Sequence, residues 1–213
     1  MPFDNYTDLQ AEIANYLARS DLGAEIPSFI ALAEAKFNRS LKCVEMDQRA
    51  TATIDITSAE PQFLSLPADY QSMRRVRVES ITGKPRLYFL PSDLIDEKRF
   101  AAQDAPGQPR YFTVFGAEME LFPTPDQAYT LGMVYRRLIP PLALNPSNWL
   151  LGNHPDAYLY GALMEAEPYM KNDQRIETWA QGLSAAVDAI NDVSDDAAFN
   201  AGPLAVQVSG QVF

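Results

Sequence analysis

Short alternating runs punctuated by turn residues fill residues 49–140, and apolar patterns at helical spacing flank them on both sides. An amphipathic helix must bury its stripe against another element, so the flanking helices are expected to pack on one another across the intervening stretch. The β segment then reads as an insertion. The expected fold class is α+β: a bundle of about four helices from both chain ends, an inserted small antiparallel β domain and an extended C-terminal arm. The boundaries predicted are an N-terminal helical hairpin at 1–48, the β-rich domain at 49–140, C-terminal helices at 141–194 and the arm at 195–213. A chain of 213 residues is long enough for the two modest cores that this division requires.

In the first helix, Thr7 followed by Gln10 has the form of a capping box, and Leu9, Ile13, Tyr16 and Leu17 share a face until Ser20-Asp21-Leu22-Gly23 breaks the pattern. Pro27 suits the start of a second helix, with Ile30, Ala33, Phe37 and Leu41 at helical spacing. His154-Pro155-Asp156 opens a third, burying Leu159, Leu163, Ala166 and Met170, which Pro168 should kink or shorten. Asn172 or Asp173 can cap a fourth, where Ile176, Trp179, Leu183, Val187 and Ile190 form a stripe closed off by Asp192 to Asp196. That spacing favours core packing over a cofactor-facing surface.

Within the insertion, Thr51 to Ile56 alternates, Gln62 to Leu66 is a short strand stopped by Pro67, and Met73 to Glu79 turns at Thr82-Gly83 into Arg86 to Leu90. Pro91-Ser92-Asp93 starts a short helix through Phe100, and Gln103 to Pro109 is a loop. Tyr111–Phe115, Met119–Phe122 and Tyr129–Tyr135 follow as strands, which suits a small sandwich or curled sheet. The tail from Gly202 to Phe213 has no helical pattern and is too short for its own core. Its Val206/Val208 alternation and closing aromatic favour an arm that adds a strand to a neighbour over a frayed end.

The formal net charge is −11, and from residue 141 onward nine acids face only Lys171 and Arg175. Such a chain opposes wrapping of nucleic acid by counterion release, yet an acidic wall lets DNA pass. Cys43 is the single cysteine and His154 the single histidine, which excludes an intrachain disulfide and an ordinary Cys/His zinc set. No calcium-loop pattern occurs, and neither metal nor cofactor is expected. The N-terminus lacks a signal-peptide pattern and no apolar run reaches the length of a membrane span, so folding in the cytosol is expected.

No catalytic set assembles. His154 beside Asp156 has the makings of a general base, but a lone histidine before a helix-opening proline reads better as a cap or interface residue. Cys43 has no histidine near it in sequence and reads as a quiet thiol. Glu165 and Glu167 cannot share a helix face, and Asp195 and Asp196 form a helix-end charge cluster. Arg74, Arg75, Arg77, Arg136 and Arg137 are the only basic concentration; alternation sets Arg75 and Arg77 on one side of a strand and Arg74 on the other, and a solvated or salt-bridged face outweighs phosphate contact.

Several segments carry a resemblance: Tyr6-Thr7-Asp8-Leu9, the helix from Ile26-Pro27-Ser28-Phe29 to Phe37-Asn38-Arg39, Leu66-Pro67-Ala68-Asp69-Tyr70, Phe122-Pro123-Thr124-Pro125, and Tyr135-Arg136-Arg137-Leu138 through Asn148-Trp149-Leu150-Leu151 to His154-Pro155-Asp156-Ala157-Tyr158-Leu159-Tyr160-Gly161. In this order, from Tyr6 to about Asn191, the chain resembles the head-to-tail adaptor (connector) proteins of tailed bacteriophages. The resemblance implies a helical bundle with a β-rich portion, without enzymatic activity, assembled as a ring beneath the portal and commonly a dodecamer. It implies as partners the portal protein, a tail or nozzle protein, other copies of the chain, and genomic DNA that passes through the channel without sequence-specific binding; no membrane is implied. The virion neck at the head–tail junction is the implied location, reached from the host cytoplasm during assembly. Carried onto this chain, the arm would grip the portal through Leu204, Val206, Val208, Val212 and Phe213.

Other readings differ in what they require. A tail-side completion protein is the nearest. A β-rich binding module on a helical stalk would display Trp149 or clustered tyrosines in a groove. A cell-wall-degrading enzyme would need two carboxylates about 5 to 9 Å apart across a cleft.

Overall fold

Helix α1, Tyr6–Leu17, is started by Asn5, whose side-chain oxygen accepts the Asp8 N–H at 2.9 Å while its amide donates to the Asp8 carboxylate at 2.6 Å. The cap thus lies two residues before the expected Thr7, because an extended asparagine reaches an orphan N–H of the first turn and leaves Thr7 inside the helix. Leu9, Ile13 and Leu17 form its buried face. Helix α2, Ile26–Ser40, carries Pro27 in its first turn and buries Ile26, Phe29, Ile30, Ala33 and Phe37. In this computed structural model the described residues are 4–19, 21–103, 105–170 and 175–199, with side chains described through Ser194 in the last helix.

They divide into two units, one from the residues up to Glu45 and from Ile139 onward, the other Met46–Leu138. In the sheet unit, β1 (Asp47–Thr53), β2 (Phe63–Ser65), β3 (Tyr70–Val78), β4 (Arg86–Phe89), β5 (Tyr111–Phe115), β6 (Glu118–Phe122) and β7 (Thr130–Arg137) form one seven-stranded sheet in the order β1-β7-β3-β4-β5-β6-β2. β1 begins four residues before the expected Thr51 because Asp47 to Thr53 all find partners on β7, and Asp55 ends the run by accepting the Thr57 N–H and hydroxyl. The expectation of wholly antiparallel strands is corrected by β4 and β5, which pair parallel at Tyr88–Tyr111 and Phe89–Phe112. Helix α3, Ser92–Ala101, lies between them in the chain and supplies the crossover that a parallel pair needs. One face of the sheet buries Ile54, Val76, Val78, Leu87, Phe112, Leu121, Leu131 and Met133 in a single cluster.

In the helical unit, α4 (Trp149–Asn153), capped by Asn148, precedes α5 (Pro155–Met170), and α6 (Ile176–Phe199) follows. Pro168 does not stop α5, which runs on to Met170. Gly161 permits a close crossing of α5 on α2: a Cβ there would lie 2.8 Å from Phe37 Cζ and 3.1 Å from Ala33 Cβ. Phe37 meets Tyr158 edge-on at 5.2 Å between ring centroids.

The acids from Asp192 onward do not close α6. Its inward side continues through Ile190 and Ser194, and the helix ties down the exit from α2: Lys42 N–H donates to Asn191 Oδ1 at 2.9 Å and Val44 N–H to Ser194 Oγ at 2.8 Å. Residues 195–199, expected to be extended, are therefore helical in backbone. Leu204, Val206, Val208, Val212 and Phe213 lie outside the described residues.

Candidate interaction surfaces

The residues with chemical potential in the sequence are drawn into structural tasks. His154 is the C-cap of α4, its N–H donating to Leu150 O at 2.8 Å, and α5 starts at the next residue. Cys43 is buried, at 0% exposure. Glu165 is ion-paired with Lys36, whereas Glu167, fully buried, accepts from Trp179 Nε1 at 3.0 Å and lies 3.6 Å from Arg175 Nε. These two carboxylates have different partners and do not form an acid–base pair. Among the described residues no group of His, Cys, Asp or Glu has the arrangement of a metal site, and no helix is long and apolar enough to cross a membrane.

The segment Pro140 to Tyr158, prominent in the sequence, builds a buried lock. Glu34 on α2 accepts the Leu142 N–H at 2.8 Å and the Tyr158 hydroxyl at 3.3 Å; Asn148 Nδ2 donates to Tyr158 Oη at 2.7 Å and to Pro140 O at 2.8 Å. Burial pushes the Glu34 carboxyl above its ordinary value, opposed by these donors, and pushes the Tyr158 phenol upward as well. Enclosure suits a fastening between distant chain segments, since a buried polar group is costly unless it is paired. In the sheet unit the corresponding fastening is Arg99, which bonds Glu120 at 2.6 Å and Thr124 at 2.9 Å and holds α3 to β6.

The outer face of the sheet is different. Register aligns Arg49 with Val134 and Arg75 with Val134, and places Arg77 opposite both Gly132 and Arg86. Arg49, Arg75, Arg77 and Arg86 therefore share the face opposite Val76 and Val78. Glu79 lies over Gly132, where a Cβ would come within 2.6 Å of its Oε1, and meets Lys84 at 2.5 Å and Arg49 at 3.7 Å. Hydrogen bonding to Lys84, reinforced by the charges of Lys84, Arg49 and Arg77, holds the Glu79 carboxyl below its ordinary value against some desolvation.

Sequence reasoning found Arg75 and Arg77 on one side of a strand but missed Arg49, Lys84 and Arg86, which only strand register brings alongside. Arg74 is the extra residue at a register shift between Met73 and Arg75 and pairs at 3.3 Å with Asp47, two residues before Arg49 on β1. Arg136 and Arg137 end β7, half-buried. Trp149 is half-buried at the start of α4, not displayed as a binding module would require.

The family model described as SU10 adaptor protein matches residues 4–207, spanning both units. No curated protein matches the chain. The chain belongs to the SU10 adaptor family, and it is accordingly a structural, non-enzymatic connector of the phage neck, interacting with portal and tail proteins, assembling as an oligomeric ring and joining head to tail.

Proposed function

We propose that the protein forms a dodecameric ring directly beneath the portal, continues the DNA channel toward the tail, and grips the portal with the segment that follows α6. The observation that carries this reading is the reach of the family match to residue 207, beyond the end of α6 at Phe199, so that the start of the arm belongs to the adaptor pattern. The alternation of Val206 and Val208 suits strand addition to a partner's edge, with Leu204, Val212 and Phe213 as apolar contacts. A net charge of −11 opposes adsorption of passing DNA, and repetition around a ring turns weak contacts into firm attachment. The finer domain assignment follows: helices from both chain ends as ring wall, the β insertion as the surface offered to tail proteins.

Deleting residues 200–213, which leaves α6 whole, should preserve the circular dichroism spectrum and thermal transition while abolishing co-sedimentation with the portal ring. Undiminished portal binding by the truncated protein would refute the arm's role, and binding of the intact protein to tail assemblies alone would identify a tail-side completion protein.

A further inference from the structure

We propose that the arginine-rich outer face of the sheet docks on the exposed acidic side of α6 of a second copy, forming a contact that repeats around the ring. This rests on the ring assembly of the adaptor family. Three observations carry the pairing.

First, five of the chain's 17 basic residues, Arg49, Arg75, Arg77, Lys84 and Arg86, gather on or beside one open sheet face of a protein whose net charge is −11, where the acids are Glu79 and, already paired with Arg74, Asp47. Second, the face holds like charges where a fold on its own gains by separating them. Arg77 and Arg86 are direct cross-strand partners, and like charges in that position are destabilising. Glu79 pairs with Lys84 and Arg49, while Arg75, Arg77 and Arg86 have no ion pair among the described residues. Third, α6 presents the mirror image. Glu177, Asp188 and Asp192 are exposed, the last two one turn apart where like charges repel, and none of the three has an ion pair among the described residues. Asp195 and Asp196 follow in the next turn of the sequence.

A closed ring needs two different patches on each copy, because its contacts are head-to-tail and not self-complementary. The sheet face and α6 meet that requirement with opposite charge, which gives orientation and suppresses the sheet-to-sheet and helix-to-helix contacts that would misassemble. Gly132 lets the Glu79 carboxylate lie against the strand, where it engages Lys84 and Arg49 and leaves Arg75, Arg77 and Arg86 for a partner. A nucleic-acid backbone is the weaker occupant, since the rest of this acidic chain repels phosphate.

The test uses full-length protein in two charge-reversed forms, R75E/R77E and D188K/D192K, alone and mixed in equal amounts, with adaptor occupancy on portal rings measured by native mass spectrometry. Each variant alone should lose occupancy by about tenfold or more, and the mixture should recover to near the wild-type level, because alternating copies restore opposite charge at every contact. Recovery on mixing also establishes that each variant is folded. Unchanged occupancy of either variant alone, or loss without recovery on mixing when circular dichroism finds both folded, would overturn the pairing. So would intact occupancy accompanied by lost binding of a duplex DNA probe to R75E/R77E, which assigns the face to nucleic acid. If wild-type protein forms no ring, the ring reading fails first and the pairing with it, an outcome distinct from rings that form regardless of these charges.

Discussion

The two units solve the same problem of burial with opposite chain logic. The sheet unit is contiguous from Met46 to Leu138, begins and ends on the neighbouring strands β1 and β7, and encloses one apolar cluster whose members all come from within it. The helical unit is assembled from both chain ends and is fastened by polar groups, some of them buried: Glu34 against Leu142 and Tyr158, Glu167 against Trp179, and, nearer the surface, Asn191 and Ser194 against the exit of α2. The sheet takes its register from ladder pairing, even between its first and last strands, whereas the split helical core gains register from specific side-chain bonds between distant segments. For a connector, this permits an insertion to vary its outer surface while the helices keep their own fastenings.

Cutting the chain tests this contrast most severely. A fragment of residues 46–138 is expected to fold with a cooperative thermal transition, and residues 1–45 alone to remain unfolded, since α1 and α2 then lack α5; circular dichroism and amide chemical-shift dispersion distinguish these outcomes. A structureless sheet fragment would remove the distinction between the units. Next in size, Phe37→Ala opens the helical core at its closest crossing and should cost about 3–5 kcal/mol in denaturant unfolding. Adding volume at the same crossing with Gly161→Val should cost about 1–3 kcal/mol through overpacking against Phe37 and Ala33.

The polar lock gives a sharper, pH-dependent test. Glu34→Ala leaves the Leu142 N–H without its acceptor and should cost about 1–3 kcal/mol, while Glu34→Gln keeps an acceptor without a buried charge and should cost far less. Because burial raises the Glu34 pKa, the folded state retains its proton where the unfolded state has released it. Its contribution to stability is therefore greatest below the ordinary glutamate value and falls as pH rises through the raised one. Unfolding free energies of wild type minus E34Q, taken from about pH 4 to pH 8, should decline accordingly; a flat difference would mean that the carboxyl is not desolvated. Smallest of all, Asp21→Asn removes an exposed partner of Arg19, and although that pairing lowers the Asp21 pKa to about 2, the melting temperature at neutral pH should not move measurably.

Much of the fold was legible because local patterns determine it. The apolar spacing in α1, α2, α5 and α6, Pro27 near a helix start, and Thr82-Gly83 between β3 and β4 all rest on local conformational or packing rules. The parallel pairing of β4 and β5 was not legible, since alternation carries no strand direction. Nor was the extent of α6, because exposed aspartates signal a helix end only when no inward contact, such as that of Ser194, continues the buried side. The basic face was half visible: Arg75 and Arg77 are near in sequence, while Arg49 and Arg86 join them only through register on β7 and β3.

Cryo-electron microscopy of portal rings incubated with the intact protein decides whether it seats beneath the portal. A ring of adaptor copies is expected under the portal, continuous with its channel and with the segment after α6 in contact with it. Portal rings that remain bare at saturating protein, while the same preparation binds tail assemblies, would contradict it.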